Sequence, residues 1–310
     1  MLPAPIGQTE RMRIGVNGAA GRMGRTVCEA VSADPDLVLC AAVDPSAVGQ
    51  RIEGVEVSEH LHAFADAGCD VVVDFTVAAV ARNALPWLSM HGIHAVVGTT
   101  GFSPADIEIF ESAFGAEDGP NCLIAPNFAV SAVLMMRFAE MAAPYFDTAE
   151  VIELHHDRKI DAPSGTAITT AERMAAARER DFDPDPTVDE VYPGARGGAG
   201  PRGIRAHAVR MRGMVAHQEV ILGAAGQTLT IRQDSYDRSS FMPGVLLACR
   251  KIADVPGLPR PLDPSLAHRD RGQTPIAIRC SAGPIASGVA RTTGMAEVTL
   301  GGNPVHTSGD

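Results

Sequence analysis

Short apolar runs alternate with segments of helical periodicity through the N-terminal part of the chain. Strands are predicted at the runs 13–17, 37–43, 70–75, 93–97 and 122–125. Helices are predicted from the glycine-rich turn after the first run to residue 33, then over 78–90 and 103–114. Strands separated by helices are typical of a parallel sheet with helices on both faces, so this part of the chain is predicted to be an α/β domain.

Beyond residue 128 the pattern continues with an apolar helix predicted over 130–143. A strand then begins near Glu150, and a turn at Ser164 opens a helix that is predicted to run to about Arg180. The turn residues before this helix match the composition of helix N-termini.

The next part of the chain differs in composition and in its hydrophobic pattern. Residues 181–203 are rich in proline, glycine and charge, which predicts a surface loop. Three strand-like segments separated by short turns follow, which predicts an antiparallel meander in a second, α+β domain: 204–211, 214–223 and 227–235. A last helix over 241–252 is expected to pack back on the first domain.

These elements predict three regions. The first domain comprises 1–128 together with 239–266, and the second comprises 129–238. Residues 267–310 are rich in Gly, Ser, Thr and Pro, which predicts an appended tail that is mostly disordered. A short β element is possible there over 276–279.

Composition and charge narrow the function. The chain has 310 residues, a net charge of −11 and a sequence pI of about 5.4, so nucleic acid and acidic membrane surfaces are not expected as partners. No apolar run is long enough for a bilayer, and residues 1–13 lack the order of a signal peptide. Six cysteines without C-x-x-C spacing predict buried free thiols in a reducing cytoplasm.

A glycine motif follows the first strand. Glycines 18, 21 and 24 stand at three-residue spacing before a helix, where backbone without side chains can approach a pyrophosphate. Asp44 ends the second strand, at the expected place for a carboxylate that binds ribose hydroxyls. Together these predict a Rossmann-type domain, although a tight turn without a ligand would have the same composition.

The residues around Asp44 bear on cofactor choice. Pro45 stands where an arginine could have held a 2′-phosphate, which favours NAD over NADP. Arg22 and Arg25 could still attract that phosphate. The predicted cofactor is therefore NADH, NADPH or both.

Two further turns are expected at the carboxyl ends of parallel strands, where ligands bind in such sheets. One is Gly98-Thr99-Thr100, and the other is Ala125-Pro126-Asn127-Phe128. Ordinary turn chemistry would also account for their Gly, Pro and Asn residues.

The stretch 150–167 has the most specific chemistry. His155, His156 and Lys159 follow an apolar run, and a turn into a helix start comes next. Cationic side chains beside the free N–H groups of a helix start favour an anionic substrate. The chain has 24 arginines and only two lysines, so a lysine here is consistent with a need for a group that can release a proton.

Two other readings of this stretch stay open. The histidine pair could be structural, hydrogen-bonded at a strand end. A metal site formed by Glu153, His155 and Asp157 is conceivable because alternate strand positions share a face, but no second ligand group is apparent, and no metal is predicted.

Taken together, four segments closely resemble the 4-hydroxy-tetrahydrodipicolinate reductase family, formerly dihydrodipicolinate reductases, of bacterial and plant lysine synthesis. The resemblance covers about 13–266, and the segments are 16–24, 97–102, 125–128 and 153–167. The last segment, Glu-Leu-His-His-Asp-Arg-Lys-Ile-Asp-Ala-Pro-Ser-Gly-Thr-Ala, is highly specific, whereas the glycine motif is not.

The resemblance implies a role for each matching residue. His155 would donate the proton, Lys159 would be a second donor, and a small cyclic dicarboxylate with a conjugated imine would be the substrate. The substrate carboxylates would be held by His156, Gly165 and Thr166. The NAD(P)H site would comprise Gly18, Ala19, Ala20, Gly21, Arg22, Met23, Asp44, Gly98, Thr99, Thr100, Ala125, Pro126, Asn127 and Phe128. The resemblance also implies a homotetramer assembled through the sheets of the second domain.

The chain departs from the family pattern in two places. Arg158 stands where family members often have histidine, which removes a titratable group, and residues 267–310 have no recognised counterpart. Two alternatives of other kinds remain: another two-domain NAD(P)-dependent dehydrogenase, such as one that acts on an amino-acid aldehyde, and a catalytically silent NAD(P)H-binding sensor.

Overall fold

The N-terminal half forms a seven-stranded sheet with the strand order β3-β4-β2-β1-β5-β6-β7. The computed structural model describes residues 11–116, 118–125, 127–254 and 257. The strands are β1 (Met12–Asn17), β2 (Leu37–Val43), β3 (Arg51–Ile52), β4 (Val55–Ser58), β5 (Val71–Asp74), β6 (His94–Val97) and β7 (Cys122–Ile124). All pairs are parallel except β3 with β4. This confirms the predicted α/β class, since β1 lies at the centre with later strands on either side.

Seven α-helices lie within the described ranges. They are α1 (Arg22–Ala33), α2 (His62–Asp66), α3 (Ala78–Met90), α4 (Pro104–Ala113), α5 (Val130–Ala142), α6 (Gly165–Ala176) and α7 (Met242–Lys251). Ser103 begins α4 with a reciprocal capping box, because its hydroxyl accepts from the backbone N–H of Asp106 while the Asp106 carboxylate accepts from that of Ser103. Helix α7 packs against α1, as the sequence predicted, and Arg250 forms an ion pair with Asp34 beside that contact.

A second sheet has five strands in the order β12-β11-β8-β10-β9. They are β8 (Thr148–His155), β9 (Gly198–Ala199), β10 (Arg205–Arg210), β11 (Ala216–Ala224) and β12 (Gln227–Ser235). Only β8 and β10 pair in parallel, so the sheet is mostly antiparallel, as predicted. Helices α5 and α6 pack together over one face of this sheet.

The predicted meander is wrong at its first pair. Strand β10 does not neighbour β11, because β8 lies between them and pairs with both. The connection 211–215 crosses the end of β8, where the backbone N–H of Met211 donates to the carbonyl of His155. Alternation within a strand reveals its two faces but not its neighbours, so the sequence pattern could not establish this order.

Several boundaries also differ from the predictions. Helix α6 ends at Ala176 rather than near Arg180, and the predicted loop contains the short strand β9 and a 3₁₀ turn over Pro201–Gly203. The short elements β3, β4 and α2 were not predicted, since two to five residues are too few for a clear period. The predicted tail over 267–310 lies outside the described residues.

The described cysteines are free thiols: Cys28, Cys69, Cys122 and Cys249 are buried, and Cys40 is half-buried. Burial raises the pKa of Cys28 to about 12, which makes that thiol inert at neutral pH. The sixth, Cys280, lies outside the described residues. No helix in the described part of the chain is long and apolar enough to cross a membrane.

Candidate functional site

The glycine turn lies between β1 and the start of α1. Gly18 has a φ of 79°, and its N–H donates to the carbonyl of Val43 on β2. A Cβ on Gly24 would lie 2.0 Å from the carbonyl oxygen of Gly18, so only glycine permits this close approach of turn and helix. The backbone at the start of α1 can therefore come close to a phosphate group, which fits a dinucleotide.

Asp44 lies beside this turn. Its Oδ2 accepts the N–H of Ala20 at 3.0 Å, and its Oδ1 accepts the N–H and the hydroxyl of Ser46. Burial raises the pKa of Asp44, but the hydrogen bonds from Ser46 and Ala20 outweigh it and hold the pKa below its usual value. The structure thus brings the predicted ribose-binding carboxylate to the predicted phosphate turn.

The other residues of this turn differ in exposure. Gly21 and Arg22 are exposed, Met23 is half-buried, and the side chain of Ala19 is buried in the core. Contacts from Ala19 to a cofactor would therefore be made by its backbone.

The turn at Gly98 is held by a buried polar network. The hydroxyl of Thr99 donates to the carboxylate of Asp74 at 2.6 Å and accepts the N–H of Thr76 at 2.9 Å. Asp74 also accepts from Asn17 at 2.7 Å, so the ends of β1, β5 and β6 are tied together. The Thr99 side chain is buried and its one hydroxyl donor is used in this network, whereas Thr100 is exposed.

Phe75 connects the glycine turns with the residues that follow β7. A Cβ on Gly98 would lie 2.0 Å from its ring, and the ring centroid of Phe128 is 5.9 Å from its own. Phe128 and Ala125 are buried, and Pro126 lies outside the described residues. Asn127 donates through Nδ2 to the hydroxyl of Thr166 at 3.3 Å. This contact joins the predicted cofactor edge of the first sheet to the predicted substrate-binding helix start.

The predicted proton donor lies at the end of β8. Nδ1 of His155 is 2.5 Å from Oε2 of Glu153, two residues earlier on the same face of the strand. The Glu153 side chain has 0% exposure, and that of His155 has 16%. His155 is therefore held by a fully buried carboxylate.

Glu153 accepts three further hydrogen bonds, from two other residues. Arg210 on β10 forms a bidentate pair with it, Nη1 to Oε2 and Nη2 to Oε1, each at 2.7 Å. Its Oε1 also accepts the backbone N–H of Ser164 at 3.1 Å. Sequence reasoning considered Glu153 only as a metal ligand and missed Arg210, which lies 57 residues away along the chain.

Charges around His155 shift its protonation. Burial lowers the pKa of His155, the bond to Glu153 raises it, and the nearby charges of Lys159 and Arg210 lower it, so the pKa lies below the usual 6.5. Burial raises the pKa of Glu153, but Arg210 and His155 outweigh it, and that pKa lies below its usual value. In the free protein at neutral pH the pair is thus a neutral imidazole beside a carboxylate.

The ammonium of Lys159 lies in the loop after β8. It contacts both carboxylate oxygens of Asp161, at 2.9 and 2.8 Å. These contacts hold the pKa of Asp161 below its usual range. His156 is half-buried and accepts the backbone N–H of Arg158 at Nδ1, while Arg158 itself is exposed.

The predicted carboxylate clamp lies at the start of α6. The buried hydroxyl of Ser164 caps the helix by accepting the N–H of Ala167 at 3.2 Å. A Cβ on Gly165 would meet no atom within 4 Å, so there is open space beside this N-terminus. Thr166 is half-buried beside it. The first N–H groups of a helix have no partner within it, and a helix start beside open space suits an anion.

The metal alternative finds no support in this geometry. Among the described residues, no group of three His, Cys, Asp or Glu side chains could hold a metal ion. The carboxylate of Glu153 is engaged by Arg210, Ser164 and His155.

Comparisons with known proteins agree on one family. The description "Dihydrodipicolinate reductase, N-terminus" matches residues 12–128, and "Dihydrodipicolinate reductase, C-terminus" matches residues 131–260. A 4-hydroxy-tetrahydrodipicolinate reductase of Nocardia farcinica is 51% identical over 258 residues, which cover 82% of this chain and 98% of that protein. The same enzyme of Mycobacterium ulcerans is 48% identical over 256 residues, covering 82% of this chain and 99% of that protein.

Solved structures give a similar picture. A dipicolinate-bound dihydrodipicolinate reductase from Paenisporosarcina has a TM-score of 0.71 and 34% identity, and the match covers 80% of this chain and 97% of that chain. An amine dehydrogenase from Mycobacterium smegmatis has a TM-score of 0.56 at 14% identity, with 80% of this chain and 94% of that chain covered. The second likeness shows the fold alone.

Proposed function

The chain belongs to the dihydrodipicolinate reductase family, and from that premise we propose that it reduces 4-hydroxy-tetrahydrodipicolinate, via dihydrodipicolinate, to tetrahydrodipicolinate in lysine and diaminopimelate biosynthesis. The electron donor is NADH or NADPH. The observation that supports this most is one contact chain: Asn127 of the cofactor edge touches Thr166, at the helix start that Glu153 ties to His155.

Each sheet would have its own task. The turn at Gly18, with Asp44, would hold the adenosine end of the cofactor, and the turns at Gly98 and Asn127 would lie nearer the nicotinamide. The second sheet would hold the substrate. We propose the domain boundaries 1–128 with 239–266, and 129–238, on this division.

The reaction needs a hydride and a proton. The reduced nicotinamide, when bound, supplies the hydride that adds to ring carbon 4 of the conjugated imine. The electron pair displaced through the conjugated system forms an enamine, which gains a proton at the neighbouring carbon. The chain's task is therefore to place an acid beside that carbon.

His155 would be that acid. Its pKa lies below 6.5 in the free protein, so it must take up a proton when the dianionic substrate binds. Two carboxylates close to the ring favour the imidazolium and raise its pKa. Substrate binding would thus protonate His155. Lys159 would stabilise the developing charge and serve as a second proton donor.

The substrate carboxylates would be bound at the start of α6. Gly165 and Thr166 begin this helix, so their N–H groups have no partner within it, and there is open space beside Gly165. His156 would contribute from the end of β8. Lys159 is held by Asp161 in the free protein, and a bound carboxylate would compete for its ammonium.

The decisive experiment is an initial-rate assay with the product of dihydrodipicolinate synthase, following NADH or NADPH consumption. We expect turnover with both cofactors and a higher kcat/KM with NADH, because Pro45 follows Asp44 and Arg25 is engaged with the carbonyl of Ala20 at 3.1 Å. Binding of NADH without turnover would instead identify a cofactor sensor. Turnover of an amino-acid aldehyde but not of the synthase product would identify another dehydrogenase.

We also propose a homotetramer assembled through the second sheet. The face of β8 opposite Glu153 presents Ile152 and Leu154, and the neighbouring strands add Val209 and Ile221. All four side chains are only partly covered in a single chain, and a second copy could bury them. Sedimentation equilibrium should give a mass of four chains. A monomer at micromolar concentration would contradict this.

The proposed compartment is the cytoplasm. The described cysteines are free, including Cys40 and Cys69, whose sulfur atoms are 3.1 Å apart without a disulfide. Unbonded thiols at this distance fit a reducing compartment. Cell fractionation with detection of the chain would test it.

A further inference from the structure

We propose that Glu153 and Arg210 are positioning residues, which fix the imidazole of His155 and the start of α6 as one unit. The inference deepens the proposed function and rests on it. Both residues act through other groups: Glu153 through the ring it orients, and Arg210 through Glu153.

The carboxylate of Glu153 is saturated. Each of its oxygens accepts two hydrogen bonds: Oε1 from Ser164 N and Arg210 Nη2, and Oε2 from His155 Nδ1 and Arg210 Nη1. A carboxylate has about four acceptor sites, so all of them are used by the chain. With no exposed surface, Glu153 has no freedom to turn toward another partner.

The contact with His155 determines which ring nitrogen is free. Glu153 has a pKa below its usual value, so it is ionised at neutral pH and can only accept. The hydrogen between Oε2 and Nδ1 therefore belongs to Nδ1. Nε2, which has no partner among the described residues, is the nitrogen that can gain a proton and give it to the substrate.

The contact with Ser164 determines where the carboxylate clamp lies. Ser164 caps α6, and its own N–H is held by the same carboxylate that holds His155. The proton donor at the end of β8 and the anion site at the start of α6 thus share one buried anchor. A shift of Glu153 would displace both at once, which matters because catalysis depends on geometry to within about 1 Å.

Arg210 holds this anchor in place. It lies opposite His155 in the parallel ladder between β10 and β8, on the same face as Glu153. Its Nη2 also donates to the carbonyl of Asp161 at 2.6 Å, so it fixes the loop that bears Lys159. Its Nε is buried without a partner among the described residues. The guanidinium therefore binds Glu153 and the Asp161 carbonyl, while one of its own N–H groups is left without a hydrogen bond among the described residues.

Three charged groups near His155 shift the pKa of its ring. They are Glu153 on the same strand, Arg210 on β10, and Lys159 in the following loop. Glu153 raises the pKa of His155, whereas the two cations lower it. Neutralising Glu153 should consequently lower the pKa of the ring further.

The test compares Glu153→Gln with Glu150→Gln. Glu150 lies on the opposite face of β8 and also contacts a histidine and an arginine, which makes it a matched control. We expect Glu153→Gln to lower kcat roughly 10–100-fold, a part of the ~10²–10⁴-fold that general acid catalysis contributes, with little change in the Kd for NADH. Glu150→Gln should keep the wild-type kcat.

Side-chain NMR of ¹⁵N-histidine in the full chain gives a readout that does not need turnover. In the wild type, His155 should be the Nδ1–H tautomer when neutral. In Glu153→Gln the tautomers should mix, and the pKa of the ring should fall. A Glu153→Gln protein that retains the wild-type tautomer, ring pKa and kcat would overturn the proposal.

A double variant separates positioning from mere stability. Glu153→Gln leaves the charge of Arg210 without its partner, which destabilises the fold, whereas Glu153→Gln with Arg210→Gln removes both charges. The double variant should regain part of the lost thermal stability, but its kcat should stay low. Recovery of kcat along with stability would show that the pair is only structural.

Failure of the proposed function would look different. In that case the wild type would not turn over the synthase product, yet the NMR comparison would still report whether Glu153 sets the tautomer of His155. Binding of pyridine-2,6-dicarboxylate as a probe completes the comparison. Its Kd should rise at least about tenfold in Glu153→Gln, because the start of α6 loses its anchor and a bond to a charged group is lost or lengthened.

Discussion

Strand β8 carries two carboxylates that meet the same kinds of partner on its opposite faces. Glu153 contacts His155 at 2.5 Å and Arg210 at 2.7 Å. Glu150 contacts His207 at 2.5 Å and Arg196 at 2.6 Å. The distances are nearly equal, but the exposure of the carboxylate is 0% for Glu153 and 28% for Glu150.

What lies beyond each carboxylate also differs. Glu153 reaches the capping residue of a helix through Ser164. Glu150, with His207 and Arg196, forms a second cluster, in which Arg196 also pairs with Asp185 in the loop that precedes β10. One cluster therefore connects a strand end to a helix start, and the other connects a strand to a surface loop. Identical residue types thus have different consequences, which depend on burial and on the elements they join.

The largest difference between the two clusters should appear in kcat. His155→Gln should lower kcat about 10²–10⁴-fold, because the proton donor is lost. His207→Gln removes the corresponding ring on the other face and should leave kcat unchanged. Initial rates at saturating substrate measure both. A His155→Gln enzyme with wild-type kcat would remove this residue from the chemistry.

The second contrast concerns stability. Arg210→Gln leaves a buried carboxylate without its cation, which should lower the free energy of unfolding by about 3–5 kcal/mol. Arg196→Gln breaks a pair whose side chains are 32% and 28% exposed in a single chain, and the expected loss from the pair itself is only ~0–1 kcal/mol. Urea unfolding of both variants, followed by circular dichroism, gives the two values. Equal losses would mean that burial does not distinguish the clusters.

The third contrast tests the helix start that only the Glu153 cluster holds. Gly165→Ala places a methyl group in the open space, which should raise KM for the dicarboxylate at least about tenfold, since a bond to a charged group contributes ~1.5–3 kcal/mol. The melting temperature should hold or rise slightly. Gly198→Ala on β9, where a Cβ would lie 3.7 Å from the nearest atom, is the control. An unchanged KM in Gly165→Ala would place the substrate carboxylate elsewhere.

The smallest effect is in the pH dependence of stability. The native pKa of His155 lies below 6.5, so the unfolded chain takes up a proton first as the pH falls through 6.5. Stability from this residue is present above pH 6.5 and is lost between that value and the native pKa. The difference in unfolding free energy between wild type and His155→Gln should therefore shrink on acidification. The difference in unfolding free energy between wild type and His207→Gln, measured over the same pH range, is the reference. If the difference for His155→Gln grew on acidification instead, the native pKa of His155 would be raised.

Much of the fold could be predicted because its signals are local. The periods of 2 and 3.6 residues located β2 and α3 to the residue, and the glycine turn identified the type of the first domain. The order of the second sheet could not be predicted, since pairing of β8 with β10 depends on contacts across 57 residues rather than on local pattern.

The site shows the same limit. His155 and Lys159 were visible because a histidine pair and a rare lysine precede a helix start, and their roles remain predictions. Alternation also placed Glu153 on the face of His155, but no local signal distinguished a buried anchor from a metal ligand. The contact with Arg210, which comes from another strand, is the observation that favours the anchor.

The pairing of β10 with β8 also has a practical consequence for protein engineering. Six registered residue pairs fix the position of Arg210, whatever path the chain takes between α6 and β10. A doubling of that connection would add only about 0.6 kcal/mol of closure entropy. The exposed segment around Val188 is thus a suitable place to insert an affinity tag or a fluorescent reporter while the reaction continues undisturbed.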